Sequence, residues 1–432
     1  MSAEDKDNNT PFIHEPLYDV AVVGGGLVGA VAALCFDRFG GDGFKVALFE
    51  AGLLDASYQT DQPGEGKVLY SGRAYALSEG SRAILDVLGL WQEMAKFAQP
   101  IEEIEVTDSQ LESPFRPVFL SFSGEIEHGR AGAYIIEHER LAAPIYRALR
   151  AKTEIAVFEN SPISDLQRDA QSVELSFKGG EKLRSRLCIG ADGRGSSVRS
   201  LSDIKVHRSD YDQDGIVVTV ALSQPHHGKA VQHFLPSGPF AILPLPGDRA
   251  SLVWTEKRGL AAEMCALSDE EFISQINARF SPKLGTVELA GPRAHFPLSL
   301  LLAYSFIDKR VALIGDAAHG VHPLAGQGMN IGLRDVAALV EIVVETRRLG
   351  LDIGSEVVLE RYQQWRRFDG VMLAFAMDGM NRLFASEVPL VREVRDFGLR
   401  LVDRLPPLKE FFVREAAGLN GDVPLLMQGK KL

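Results

Sequence analysis

The sequence predicts an α/β fold: a Rossmann-like unit interleaved with an antiparallel β-rich one, followed by a helical C-terminal region. Three observations carry this reading. Residues 18–23 form a short apolar run that meets glycines at once, and "LVGAVAALCFDRFG" with "FKVALFE" completes a β-α-β unit of about 33 residues. Residues 213–256 hold four strand-like segments, "DGIVVTVAL", "KAVQHFLP", "GPFAILPL" and "RASLVWTE", set apart by Gly and Pro turns. From Gly328 onward the apolar spacing is helical almost to the end.

The elements follow in order. The run at 18–23 is a buried strand, the small residues after Gly26 open a helix, and 44–50 is the next, parallel strand. Between 100 and 122 apolar and polar residues alternate, as half-buried antiparallel strands do. "HERLAAPIYRALRA", residues 138–151, returns to helical spacing, and "SVELSFKGGEKLRSRLCIGADG" is a hairpin on a Gly-Gly turn whose second strand runs to Asp192. "VALIGDAA" is one more buried strand ending in glycine. The division expected is a disordered lead at 1–16, a discontinuous Rossmann-like domain at 17–100, 133–205 and 300–385, a β-rich domain at 101–132 and 206–299, and a C-terminal helical segment at 386–432.

Composition narrows the function. With 432 residues, 46% of them apolar, the chain can bury a large core, and a net charge of −12 argues against nucleic acid as a partner. Cys35, Cys188 and Cys265 are isolated thiols, which suggests neither a disulfide framework nor a zinc knuckle and fits a reducing compartment. The first sixteen residues are polar and acidic, unlike an export or transit signal. No apolar stretch reaches the roughly 18 to 20 residues of a spanning helix. A cytoplasmic protein is expected, with peripheral membrane contact left open.

"GGGLVG" sets Gly24, Gly26 and Gly29 in GxGxxG spacing between a strand and a helix, with Glu50 some twenty residues on. The first glycine permits a tight turn, the second lets backbone approach a pyrophosphate, and the third lets helix and strand pack closely. The helix N-terminus offers free N–H groups and partial positive charge to the anion, and Glu50 can accept from a ribose hydroxyl. A dinucleotide site follows, FAD or NAD; an acidic residue at the strand end disfavours a 2′-phosphate. Asp192-Gly193 marks a second strand-to-glycine transition, which by itself is more often a plain turn. "GDAAHGVHPLAGQGMNIGLRD", residues 315–335, is the third glycine-rich stretch. Its His319 and His322 stand in HxxH spacing, but they lack the carboxylate and rigid helix of a zinc motif, so no metal is expected. They are the two candidates for a base or proton relay, against the plainer role of bracing the loop.

Together these segments resemble the class A flavoprotein monooxygenases, and within them the ubiquinone-biosynthesis hydroxylase family. The resemblance runs from about Tyr18 to at least Phe384. It rests on Gly24, Gly26, Gly29 and Glu50, on "RAYALS" from Arg73, "IGADG" ending at Asp192 and Gly193, "GPFAILPL", "FPLSL", the 315–335 stretch and "DGMNRLF". It implies a p-hydroxybenzoate hydroxylase-like fold with one extended FAD, and makes the two units an FAD-binding and a substrate domain. Carried over by position, Arg73 reaches the ribityl and phosphate region, Asp192 and Gly193 lie in the motif that serves both FAD and the nicotinamide donor, and Gly315 and Asp316 hold ribityl and ribose hydroxyls. Pro323, Gly326, Gln327, Gly328, Met329 and Asn330 wrap the flavin ring. The helix start there faces the ring edge that becomes anionic on reduction.

The chemistry implied is hydroxylation of an electron-rich polyprenyl phenol through a C4a-hydroperoxyflavin, with O2 as oxidant and NAD(P)H as electron donor, alongside other ubiquinone-biosynthesis proteins as partners. Competing readings are a catabolic hydroxylase of small aromatic acids, a flavin-dependent prenyl reductase and a non-catalytic flavoprotein subunit. Three further residues stand on the sheet. His233 is read as a solvated strand residue or a substrate-side group, and Phe234 and Trp254 as core or as an aromatic pocket. The tail at 400–421 mixes Leu and Phe with Lys and Arg, which suits a helix packed on its own domain or a membrane-surface contact.

Overall fold

The computed structural model describes residues 17–54, 72–108, 118–126, 129–152, 154–235, 237–280, 284–320, 327–385 and 413–432. β1 (Leu17–Val23) runs into Gly24, α1 (Leu27–Phe39) follows, and β2 (Val46–Phe49) pairs in parallel with β1. Their apolar runs are buried on both faces, as a central parallel sheet requires. β3 (Ala74–Ser78) leads into α2 (Glu79–Val87), where Ser78 accepts from the Ser81 N–H as N-cap; α3 (Trp91–Ala95) and β4 (Gln99–Pro100) come next. β5 (Glu103–Asp108) and β6 (Val118–Ser123) are antiparallel, and β7 (Ala133–Glu137) returns to β3 and β4 before α4 (His138–Ala151).

β8 (Ile155–Phe158) extends the first sheet, and β9 (Ile163–Arg168), β10 (Val173–Phe177) and β11 (Lys182–Gly190) form a meander that ends at α5 (Ser197–Leu201). The long β12 (Val206–Leu222), β13 (Lys229–Leu235), β14 (Gly238–Leu245) and β15 (Arg249–Lys257) follow, then α6 (Leu260–Ala266), α7 (Asp269–Arg279), β16 (Val287–Leu289) and β17 (Ala294–Ala303). The chain comes back through β18 (Ile307–Asp308), β19 (Val311–Leu313), a 3-10 turn at Gly315–Ala317 and β20 (His319–Gly320) to α8 (Gly328–Arg348) and α9 (Glu356–Ala385).

Among the described residues the strands form three sheets. The first has the order β18-β19-β11-β1-β2-β8 with the β9–β10 hairpin on β11; β1, β2, β8, β11 and β19 are mutually parallel where they pair. The second runs β20-β17-β12-β15-β14-β13-β5-β6, with β16 on β12; β3, β7 and β4 make the third. One pairing departs from the alternation at 100–122: β5 is antiparallel to β6 but parallel to β13. That second partner lies more than a hundred residues away, where local periodicity carries no direction.

The register of the second sheet sorts its side chains. Opposite residues share a face, so Val231, His233 and Leu235 lie with Phe240, Ile242, Trp254 and Ile216. Most of these pack beneath Phe272, Ile276 and Phe280 on and just after α7, and this is the outer face. The inner face carries Phe234, Ala241, Val253, Val217 and Phe296; next along it, Ala230 and Leu245 pack on Ala76 and Ile135 of the third sheet. Arg249 reaches across to Glu137 at 2.9 Å.

The two aromatic candidates therefore part company. Trp254 is core, 6.0 Å from the Phe272 ring and 4.0 Å beneath the Arg279 guanidinium, while Phe234 faces inward. His233 requires a correction: it is neither solvated nor on the inner face, but 2% exposed on the outer one, its Nδ1 2.6 Å from Thr107 Oγ1. Most of the tail at 400–421 lies outside the described residues. From residue 413 onward the chain packs on its own helices: Leu426 and Met427 are buried, the Gly80 N–H donates to Ala417 O, and the Leu425 N–H donates to Glu341 Oε2 at 2.7 Å. Among the described residues of this end, 413–416 are helical and Leu425–Gln428 form a short 3-10 turn; of the helical segment expected at 386–432, residues 386–412 lie outside the described residues.

Candidate active site

The fingerprint glycines divide by what surrounds them. A Cβ on Gly24, whose φ is +110°, would lie 2.4 Å from Ala191 O, and one on Gly29 would lie 1.9 Å from Gly24 O. Both positions are closed by backbone. Gly26 has no atom within 4 Å of where its Cβ would be. The open side of Gly26 is where α1 begins, with no side-chain cap and no acidic residue in its first turn, so its leading N–H groups keep their partial positive charge for an anion. The Glu50 carboxylate accepts from the Gly25 N–H at 2.7 Å and the Gly52 N–H at 3.1 Å, which fixes it at the end of β2 with lone pairs to spare for a hydroxyl. These residues fit the pyrophosphate and ribose of FAD.

The second motif lies directly against the first. Asp192 N would fall 2.6 Å from a Cβ on Gly24, while its carboxylate accepts from Ser196 Oγ (2.5 Å) and the N–H groups of Ser197 (2.7 Å) and Val198 (3.1 Å). The side chain thus caps α5, and Gly193, at φ +74° in open surroundings, turns the chain beside it. Arg194 and Arg199 do the joining. Arg199, 4% exposed, donates to Ala317 O and Arg194 O; Arg194 donates to Ser299 O at 2.9 Å and sits 3.4 Å from Asp316 Oδ2.

The third stretch closes the site. Gly315, at φ +58°, and Gly332 on α8 both lie against Val28 of α1, so turn, α8 and α1 meet closely. Asp316 keeps its carboxylate 43% exposed beside Arg194. Arg73 stacks its guanidinium over Tyr75 (5.5 Å) and Phe296 (5.9 Å), bringing "RAYALS" up to the inner face of the second sheet. Burial pushes the Tyr75 phenol up; the Arg73 cation opposes this, and the Asp316 and Glu139 carboxylates add to it, so Tyr75 stays a neutral hydroxyl. The fingerprint, the Asp-Gly pair and the third stretch meet around the first turn of α1, and "RAYALS" meets the inner face of the second sheet.

α8 starts at Gly328 with Gln327 as N-cap, no capping side chain and no acidic residue in its first turn. Its leading N–H groups, those of Gly328, Met329 and Asn330, precede the first intrahelical acceptor, and Met329 and Asn330 are buried. The Asn330 side chain ties this turn to β3, accepting from the Ser78 N–H at 3.0 Å and donating to Ala76 O at 2.8 Å. His322, Pro323 and Gly326 lie outside the described residues. His319 is described: it is 1% exposed, and its Nε2 is 2.6 Å from Asp335 Oδ2. Asp335 also accepts from the Gly315 N–H (3.0 Å) and Arg366 Nε (2.9 Å). Among the described residues no three His, Cys, Asp or Glu side chains gather to hold a metal.

Sequence reasoning passed over Asp335, Arg366, Arg194 and Arg199. Asp335 closes the third stretch and Arg194 follows the Asp-Gly pair; a carboxylate followed by the apolar run 336–340 was the available signal for Asp335, while Arg366 sits among polar neighbours and only folding reveals its partner.

The comparisons with known proteins agree with this geometry. A family model described as an FAD binding domain matches residues 17–368. The ubiquinone hydroxylase UbiL of Rhodospirillum rubrum is 39% identical over 418 residues, 96% of this chain and 93% of its own length. The 3-demethoxyubiquinol 3-hydroxylase of Escherichia coli is 32% identical over 93% of this chain and 98% of its own. Among solved structures, p-nitrophenol 4-monooxygenase PnpA of Pseudomonas putida superposes with a TM-score of 0.73 at 20% identity, covering 94% of this chain and 99% of that one. Klebsiella pneumoniae HpxO, complexed with FAD and uric acid, gives 0.70 at 17%, covering 96% and 97%. These last two share the fold. By fingerprint, sheet order and sequence, the chain belongs to the FAD-binding-domain family of flavoprotein monooxygenases, in the branch of the ubiquinone-biosynthesis hydroxylases.

Proposed function

We propose that this protein hydroxylates the aromatic ring of a polyprenyl phenol intermediate of ubiquinone biosynthesis, with O2 as oxidant and NAD(P)H as electron donor. The observation that carries the reading is the 39% identity to a ubiquinone hydroxylase across 96% of the chain. When bound, FAD supplies the electron transfer and the activation of O2. The chain's own residues bind and orient. The α1 N-terminus and Gly26 take the pyrophosphate, Glu50 a ribose hydroxyl, and Asp316 with Arg73 the ribityl region. The uncapped start of α8 favours negative charge at the ring edge.

The inner face of the second sheet supports the substrate class. Phe234, Ala241, Val253, Val217 and Phe296 give it an apolar stretch beside Gln232 and Thr255, which suits a prenylated ring and helps keep water from the reacting carbon. No described helix is long and apolar enough to cross a membrane. Phe368 and Met372, one turn apart on α9 and 70% and 52% exposed, support contact with a bilayer surface, where a polyprenyl tail resides. Deleting the gene in its host tests the proposal. The expected result is a lipid precursor lacking one ring oxygen; an unchanged quinone pool would refute it.

A further inference from the structure

We propose that Asp335, His319 and Arg366 are positioning residues: a buried ionic strut through which the turn that holds FAD sets the placement of α9. The proposal rests on FAD binding and not on the identity of the substrate. Asp335 is 0% exposed, and its two oxygens accept from three separate segments: the Gly315 N–H in the turn, His319 Nε2 in β20 and Arg366 Nε in α9. His319 and Arg366 are each 1% exposed. Stability alone does not call for such a cluster, because well-packed apolar side chains of similar volume serve a core as well or better. What the cluster adds is direction, since a carboxylate with three fixed donors holds its neighbours in one arrangement.

α9 is built to follow this line. Tyr362, Arg366 and Gly370 stand at i, i+4 and i+8 on one stripe of the helix. Tyr362 donates its hydroxyl to Leu313 O at 2.7 Å, at the end of the strand that precedes the turn. Arg366 binds Asp335, and Gly370 passes the His319 ring, where a Cβ would lie 3.5 Å from Cδ2. Beyond its contacts with β18, α9 lies against β13, β14 and β17 of the second sheet. The Gly315 N–H that Asp335 holds is adjacent to Asp316, whose carboxylate is 43% exposed beside Arg194 and which we assign to the ribityl region. Seating FAD on the turn therefore bears on Asp335 and, through Arg366, on the helix that reaches the substrate sheet. Coupling of this kind is reciprocal, so α9 also bears on FAD retention.

Hydrogen exchange on the holoprotein and on the same protein stripped of FAD tests this, for wild type, Arg366→Met, Arg366→Lys and Asp335→Asn. In wild type, removing FAD raises exchange at 359–372 about tenfold, as loss of a local tether does. In Arg366→Met the holoprotein already exchanges faster there, removal of FAD adds less than about twofold, and Arg366→Lys restores part of the difference. Asp335→Asn weakens FAD binding about tenfold to a hundredfold, because the Gly315 N–H loses a charged acceptor. Wild-type α9 exchange that ignores FAD overturns the proposal, and that measurement needs no variant to fold. A rise spread evenly over β1, β11 and α8 in Arg366→Met, or an intact FAD dependence in that variant, overturns it as well. Failure of the substrate assignment would leave all these readings unchanged, whereas a protein that takes up no FAD would remove the cofactor reading itself.

Discussion

Alanine at two of the fingerprint glycines should separate cofactor binding from folding. At Gly29 a Cβ would stand 1.9 Å from Gly24 O, and side-chain carbons essentially never approach backbone closer than 3.0 Å, so α1 and β1 must part by over an ångström. Overpacking of this kind costs about 1–3 kcal/mol. With an unfolding entropy near 2.1 cal/mol/K per residue over 432 residues, each kcal/mol lowers Tm by about 1 °C, so Gly29→Ala should lose about 1–3 °C even without FAD. At Gly26 the methyl meets no protein atom, and the remaining cost is that of a poorer N-cap, under about 1 kcal/mol. FAD, however, must approach α1 through that space. Losing about 1.4 kcal/mol or more of anion stabilisation at the helix start raises its Kd about tenfold or more. Melting curves of the stripped proteins and fluorescence titration with FAD read both quantities. If Gly26→Ala binds FAD like wild type, or destabilises the stripped protein as much as Gly29→Ala does, the placement of the pyrophosphate at Gly26 is wrong.

The buried groups and the sheet faces give four further outcomes. Burial alone would raise the Asp335 carboxyl, but the neighbouring His319 ring, the Arg366 cation and the bonds from His319 and Gly315 outweigh it and hold it below the usual carboxylate range. A depressed folded pKa stabilises fully above the unfolded value near 3.9 and loses that contribution as pH falls through the folded one, so Tm should drop steeply only below about pH 4. Asp335→Asn should lower Tm at neutral pH by about 3–5 °C, from about 3–5 kcal/mol for a stranded buried cation, and flatten the acid limb; an unaltered limb would contradict this. On the second sheet, Trp254→Ala should cost about 3–5 kcal/mol of stability with FAD content retained, since Trp254 is core. Its neighbour Val253 faces inward, so Val253→Phe should leave Tm nearly unchanged and raise KM for a prenylated phenol; the opposite assignment of effects would invert the two faces.

How much of this was legible in the sequence depends on the range of the interaction. β1, α1 and β2, the helix His138–Ala151 and the Gly-Gly hairpin are written in local periodicity, and the structure has them where residue spacing puts them. The fingerprint glycines were equally readable, because a tight turn restricts residue type directly. β12 was read only from residue 213, although it begins at Val206, because a register shift between Asp210 and Gln213 interrupts the alternation. His233 was misjudged since a strand residue's face depends on partners far along the chain. Asp192 was read from the sequence as part of a turn, with a place in the cofactor motif by resemblance; that its carboxylate also caps α5 is a local bond that "DGRGSS" contains. Asp335 and Arg366 are thirty-one residues apart on different helices, and no pattern within either announces the other.

The central claim is that this chain, with FAD seated across its four motifs, inserts one oxygen from O2 into a prenylated phenol ring. Incubating the holoprotein with NADPH or NADH, a short-chain prenyl phenol and isotopically heavy O2, then weighing the product, tests it directly. The account predicts a phenol carrying one heavy oxygen on its ring, formed in step with nicotinamide oxidation. Reducing equivalents that end wholly as peroxide while FAD remains bound, or a product whose new oxygen comes from water, would contradict it.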